Sequence, residues 1–195
     1  MAGRTRMLPL SALVALALLA LTGCGDSHSK VTNGTYAGES GANAPYLNVG
    51  PLTYEVQLSR QLNPSDTEDA AYLQGLSPSQ RALTPQQEWF GVFVQVYNEN
   101  SISEPAANSL TIADTQGIVY TPLETAASNQ FTYRGGEVPP KGRLPVPDSI
   151  AAAGPTQGAL LLFKIQIASL DNRPLKLTIV NPADSSQTAT AELDV

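Results

Sequence analysis

Between residues 52 and 59 apolar and polar residues take turns. Leu52, Tyr54, Val56 and Leu58 fall on one side of an extended chain, and Thr53, Glu55, Gln57 and Ser59 on the other. That period of two marks a half-buried strand. Residues 46–49 predict a short strand before it, ended by Gly50-Pro51. The stretch 88–97, EWFGVFVQVY, is apolar on both sides. Phe90, Val92, Val94 and Val96 line one face, while Trp89, Phe93 and Tyr97 share the other with Gly91 and Gln95. This predicts a central strand. Residues 110–113 and 118–121 flank Asp114-Thr115-Gln116-Gly117, a hairpin with glycine available for a positive φ. Residues 131–133 predict another short strand, 159–165 a buried one, 175–179 an alternating one, and 188–195 an edge strand.

Two connections are long. In 61–87, Asp66 opens a short helix ended by Gly75, and Ser77-Pro78 is an N-cap followed by proline at the first helical position. Connections of this length are uncommon and often functional. Asp66, Glu68 and Asp69 form a small acidic group, and a hard cation would want such oxygens. No Ca²⁺ loop spacing is present, and acids at a helix N-terminus are favoured by its dipole. The second connection, 134–157, has five prolines and four glycines and is expected to be extended or irregular, with one helical turn at 148–153. Arg134, Lys141 and Arg143 in it make a basic group. Asp66, Glu68, Asp69 and Arg134 are therefore the candidate binding residues. Seven to nine short strands without a long helix predict an all-β, antiparallel two-layer sandwich with short helical turns in a long loop.

The N-terminus reads differently. Arg4 and Arg6 precede an apolar run, 8–21. As a helix that run reaches about 21 Å, short of the ~20 residues a membrane span needs and suited to a signal peptide. It ends in Leu21-Thr22-Gly23-Cys24, which resembles the lipobox of bacterial lipoproteins, and Cys24 is the sole cysteine. The resemblance implies diacylglycerol on the Cys24 sulfur, cleavage before it, and acylation of the new N-terminus. Two or three acyl chains anchor stably where one does not. The expected organisation is a signal peptide at 1–23, a lipidated, Gly/Ser/Asn-rich flexible tether at 24–44, and the sandwich at 45–195. The expected location is the extracytoplasmic face of the cell membrane.

Loss of residues 1–23 leaves nine Lys and Arg against seventeen Asp and Glu, a net charge of −8. Such a chain is a poor partner for nucleic acid, and its membrane contact must come from lipid on Cys24. Met1 and Met7 lie in the leader, and the one histidine is His28. The globular part thus lacks Cys, His and Met, which excludes Cys–His and Ser–His–Asp nucleophilic sites, Cys/His zinc sites and soft copper sites. Ser27-x-x-Lys30 matches a Ser–Lys nucleophile pattern, but it sits in the tether, away from any packed helix. No catalytic residue, metal or cofactor is expected.

Residues 45–195 resemble the immunoglobulin-like domain that follows a lipobox in many Gram-positive, especially actinobacterial, lipoproteins of unknown function. The resemblance rests on the strand with Tyr54 and Val56, on Val96-Tyr97-Asn98, on Asp114-x-x-Gly117-x-x-Tyr120, and on Leu160-Leu161-Leu162-Phe163. It implies a fold and an address and no catalytic residues. Its usual connection is shorter than the 61–87 segment here. The expected function is a non-enzymatic binding or interaction module with an envelope protein or glycan partner. The alternatives are a single-domain small-solute or glycan binder and, behind them, a glycan hydrolase using paired carboxylates.

Overall fold

The computed structural model describes residues 28–31 and 46–193; the leader and Cys24 lie outside the described residues. Among the described residues the strands are β1 (Ser29–Val31), β2 (Tyr46–Val49), β3 (Leu52–Leu62), β4 (Gln87–Tyr97), β5 (Glu104–Ala106), β6 (Ser109–Ala113), β7 (Val119–Tyr120), β8 (Gly136–Val138), β9 (Arg143–Leu144), β10 (Ala159–Gln166), β11 (Leu175–Val180) and β12 (Thr188–Leu193). Among the same described residues are four short helices, α1 (Thr67–Tyr72), α2 (Pro78–Arg81), α3 (Ile150–Ala153) and α4 (Ala168–Asp171). One sheet has the order β10-β4-β3-β2, with β9 beside the end of β4; the other has β1-β12-β11-β6-β7; β5 and β8 form a small ribbon. The chain changes layer from β1 to β2, from β4 to β6, from β7 to β9 and from β10 to β11. The orders β3-β4-β10 and β12-β11-β6-β7 correspond to A-B-E and G-F-C-C′ of an immunoglobulin-like sandwich.

The core between the layers follows from the alternation. Leu52, Tyr54 and Val56 of β3, the even-numbered residues 90–96 of β4, and Leu161, Phe163 and Ile165 of β10 meet Leu110, Ile112, Leu175, Leu177 and Ile179. Full burial of each such side chain is worth about 1.5–3 kcal/mol. Two tyrosines carry polar atoms into this core. The Ala107 N–H donates to Tyr54 Oη at 2.6 Å, and Tyr133 Oη donates to the Ala107 carbonyl at 2.6 Å. Burial pushes both phenols above their ordinary range, so both stay protonated.

The 61–87 connection builds a second core. Its Tyr72, Leu73 and Leu76 cover Leu62, Trp89, Phe93, Leu160 and Leu162 on the outer face of the first sheet. Both faces of β4 are therefore buried, as its sequence predicted. The Ser77 cap is as the sequence predicted, and Asp66, expected as the first residue of its helix, is the N-cap instead. Asp66 accepts from the N–H groups of Glu68 and Asp69, and Ser77 and Gln80 form a capping box.

Several details differ from the sequence expectation. Leu58 does not point with Leu52, Tyr54 and Val56. A β-bulge between Val56 and Leu58 turns the rest of β3 over, and Leu58 packs on the second core. Residues 131–133 form no strand; Thr132 makes one parallel bridge to Leu160, while Phe131 is drawn to Tyr72, ring centroids 4.8 Å apart. The proline-rich connection contains β8, β9 and α3. The expected tether is not all coil. Ser29–Val31 pairs in parallel with β12, so β12 is no edge strand. Backbone pairing needs no apolar pattern, which is why composition hides β1.

The outer edge of β10 is covered as well. Leu160 and Leu162 exchange backbone hydrogen bonds with Leu123, Phe131 and Tyr133. The edge strands of the second sheet, β1 and β7, have three and two residues.

Candidate functional site

The outer face of the first sheet has two halves. The half nearest the start of β4 is apolar and lies under Tyr72 of α1 and under Leu73, Leu76 and Leu83 on either side of α2. The Tyr72 ring meets Phe93 edge-on at 5.1 Å, and its hydroxyl donates to Glu68 at 2.6 Å. Burial first, and that bond second, push the Tyr72 phenol up to about 12. Lys164 lies 5.5 Å from the centre of the Trp89 ring and donates to the Ala82 carbonyl, tying down the C-terminal end of α2.

The other half is polar. Strand register places Tyr46, Glu55 and Gln95 in one row across β2, β3 and β4. Asn48, Thr53, Tyr97 and Arg143 make a second row that extends onto β9. The partners in register project to one side, because Leu47, Val49, Leu52, Tyr54, Val94 and Val96 fill the other. Tyr97 Oη lies 2.7 Å from Glu55 Oε2 and 2.7 Å from Gln95 Oε1. One hydroxyl proton serves one acceptor. The carboxylate takes it, and the Gln95 amide turns its nitrogen to the phenol oxygen. Burial foremost, then the bond and charge of Glu55, hold the Tyr97 phenol above its ordinary range. The Glu55 charge and then burial do the same to Tyr46. The Tyr46 and Tyr97 rings stand 6.4 Å apart at 74°. Glu55 and Gln95 are each 6% exposed, whereas Tyr46 is 37% exposed. The result is a floor of fixed hydrogen-bonding groups with an accessible aromatic ring at its rim.

Asp66, Glu68, Asp69 and Arg134 do not meet at one point. Asp66 caps α1. Asp69 holds the Arg60 guanidinium through two bonds of 2.6 and 2.9 Å and accepts the Asn63 N–H at 2.7 Å. Burial alone would raise the Asp69 carboxyl; Arg60 and the Asn63 N–H bring it below its usual range. Glu68 accepts from Tyr72 and, at 2.9 Å, from Thr156, so the two long connections touch there. Among the described residues no group of three or more His, Cys, Asp or Glu could hold a metal ion. Arg134 donates to the carbonyls of Thr125, Ala126 and Asn129. It thereby braces the turn from which the Asn129 amide reaches the carbonyls of Tyr72 and Gln74. It also lines a groove of about 570 Å³ between the layers, beside Glu124, Tyr133 and Leu161.

Neither row of the polar half was among the residues the sequence nominated. The available signals were Thr53-x-Glu55 on the polar side of β3, and Gln95 between Phe93 and Tyr97 on the second apolar face of β4. A polar residue in an otherwise buried position asks for a partner.

No family model matches this sequence, and no curated protein matches it. The fold is found elsewhere. The crystal structure of the yjhA protein of Bacillus subtilis is similar with a TM-score of 0.51 at 10% identity, over 82% of this chain and 99% of that one. A candidate lipoprotein of the same organism, ycdA, gives a TM-score of 0.48 at 10% identity, over 80% of this chain and 39% of that one. Among the described residues no helix is long and apolar enough to cross a membrane.

Proposed function

We propose that this chain is a lipid-anchored, non-enzymatic binding module of the cell envelope. Lipid on Cys24 holds it at the extracytoplasmic face of the membrane, and the polar half of the first sheet is its contact face. One observation carries this reading. The chain closes one half of a sheet face with apolar side chains of the 61–87 connection and keeps the other half polar, with Tyr46-Glu55-Gln95 and Asn48-Thr53-Tyr97-Arg143 set in two rows and with Tyr46, Asn48 and Arg143 exposed beside the buried Glu55 and Gln95.

The chemistry suits an envelope glycan. Sugar hydroxyls pair with amides, carboxylates and phenols, and their C–H faces stack on aromatic rings. An interface core between proteins would instead be apolar and depleted of charge. Glu55 is the one carboxylate in the two rows, whereas a carboxylate glycosidase needs a pair about 5–10 Å apart; binding without cleavage is the reading this supports.

The test is co-sedimentation of the protein with purified insoluble cell-wall glycan. Wild type is expected in the pellet. Tyr46→Ala combined with Gln95→Ala is expected to stay in solution while keeping a cooperative melt. Equal retention of both proteins removes this face from the proposal.

A further inference from the structure

We infer that the sandwich stands on the bilayer by one defined end, the end bearing the 50–51, 99–102, 139–142 and 182–187 turns, with the 114–117 hairpin pointing away. This rests on the proposed lipid at Cys24. The sign of β1 decides the direction. It runs parallel to β12, with Ser29 opposite Thr190 and Val31 opposite Glu192, so the chain comes into the sheet where β12 begins. That is the end with the 182–187 turn. His28 is fixed to both layers there. Its carbonyl accepts the Thr190 N–H at 2.8 Å, and its Nδ1 lies 2.9 Å from the Asn48 carbonyl oxygen.

Only residues 25–27 separate Cys24 from His28. Fully extended, that span covers at most about 14 Å. The eleven residues of β4 run roughly 35 Å from end to end. The anchor's reach is thus less than half the height of the domain. A 20-residue coil would leave every orientation open; this one does not.

The turns at that end form one stitched surface. The buried Asn98 amide donates to the carbonyls of Ile102, Val138 and Pro139. The Asn100 amide donates to the Pro51 carbonyl at 3.1 Å, and Lys141 donates to the Glu99 carbonyl. Ile102, 63% exposed, is held outward by this clamp at the place where lipid would meet it. Glu99 and Asp184 lie at the same end, so contact with an anionic leaflet is made by the anchor and Ile102 rather than by charge attraction. Asn48, Thr53, Tyr97 and Arg143 lie in the half nearest this end.

The experiment uses the full lipidated protein in phosphatidylethanolamine–phosphatidylglycerol vesicles containing a trace of acceptor-labelled lipid. Two variants, Ile102→Cys and Gln116→Cys, carry the donor dye; lipid on Cys24 leaves the new thiol as the one that reacts. Energy transfer is expected to be several-fold higher from position 102 than from 116. Ten Gly/Ser residues inserted after Asp26 are expected to abolish that difference. Equal transfer from both positions with the native spacing, or a stronger signal from 116, overturns the orientation. Flotation and the mass of the Cys24 peptide are read on the same samples. A protein that carries no lipid overturns the anchor and the orientation together; a lipidated protein with equal transfer overturns the orientation alone.

Discussion

Phe93 and Gln95 are neighbours on one face of one strand, yet the chain treats them in opposite ways. Phe93 lies under Tyr72 in the second core, while Gln95 lies among hydrogen-bonding groups. The long 61–87 connection is therefore explained by what stands beneath it. An exposed sheet face bearing Leu62, Trp89, Phe93, Leu160 and Leu162 would be an aggregation surface. The insertion closes it, and the polar half of the same face needs no such closure. A long connection in this protein marks a structural obligation, and the polar surface beside it marks the place to look for a partner.

Replacing 63–86 by a short Gly/Ser turn is the strongest way to break this contrast. Five large apolar side chains lose their cover at about 1.5–3 kcal/mol each, comparable with the whole stability of a domain, about 5–15 kcal/mol. The expected outcome is loss of a cooperative thermal transition and gain of hydrophobic-dye binding. A variant that melts cooperatively within a few degrees of wild type would show that the insert is dispensable. Next in size, Phe93→Ala is expected to lower stability by about 3–5 kcal/mol and Gln95→Ala by about 1 kcal/mol, measured as shifts in urea midpoint. Equal shifts would erase the distinction between the halves.

A smaller effect separates the charged joint of the insert from the rest. The Asp69 carboxyl lies below its usual range when folded. Its contribution is therefore complete above the unfolded value of about 3.9 and is lost as pH falls through the folded value. Asp69→Asn is expected to cost about 1–2 kcal/mol at pH 7, since Arg60 keeps contact with water. It is also expected to lose less stability than wild type below about pH 4. Parallel stability–pH curves would deny the pair that role. Smallest of all, Tyr46→Ala is expected to change stability by less than about 0.5 kcal/mol; a larger drop in the urea midpoint would make Tyr46 a packing residue instead of a rim group.

The layers of β4 were legible because both of its faces are written in large apolar residues, and the Ser77 cap was legible because its side-chain chemistry is local. The bulge after Val56 was not. It reverses the meaning of Leu58 without altering the alternation, since the extra residue, Gln57, is itself polar. β1 was hidden because main-chain pairing leaves no trace in composition. Asp66, Glu68 and Asp69 were visible as a cluster, but their partners Arg60, Asn63, Tyr72 and Thr156 include one that is far away in sequence. The polar rows were missed because Tyr46, Glu55 and Gln95 become neighbours only through strand register, across three separate segments.

The covered sheet edges would have a consequence if lipid on Cys24, as proposed, confines the chain to a surface. Proteins held by lipid diffuse in a plane and collide far more often than the same number of molecules in bulk solution. Under that crowding, an open strand edge would recruit the edge of the next copy, and the layer would polymerise into continuous sheet. Here β1 occupies the flank of β12, β7 has two residues, the 123–133 segment occupies the flank of β10, and β2, the other edge of the first sheet, has four residues with its Asn48 carbonyl 2.9 Å from His28 Nδ1. The molecule can be displayed at high surface density and still remain a set of separate units.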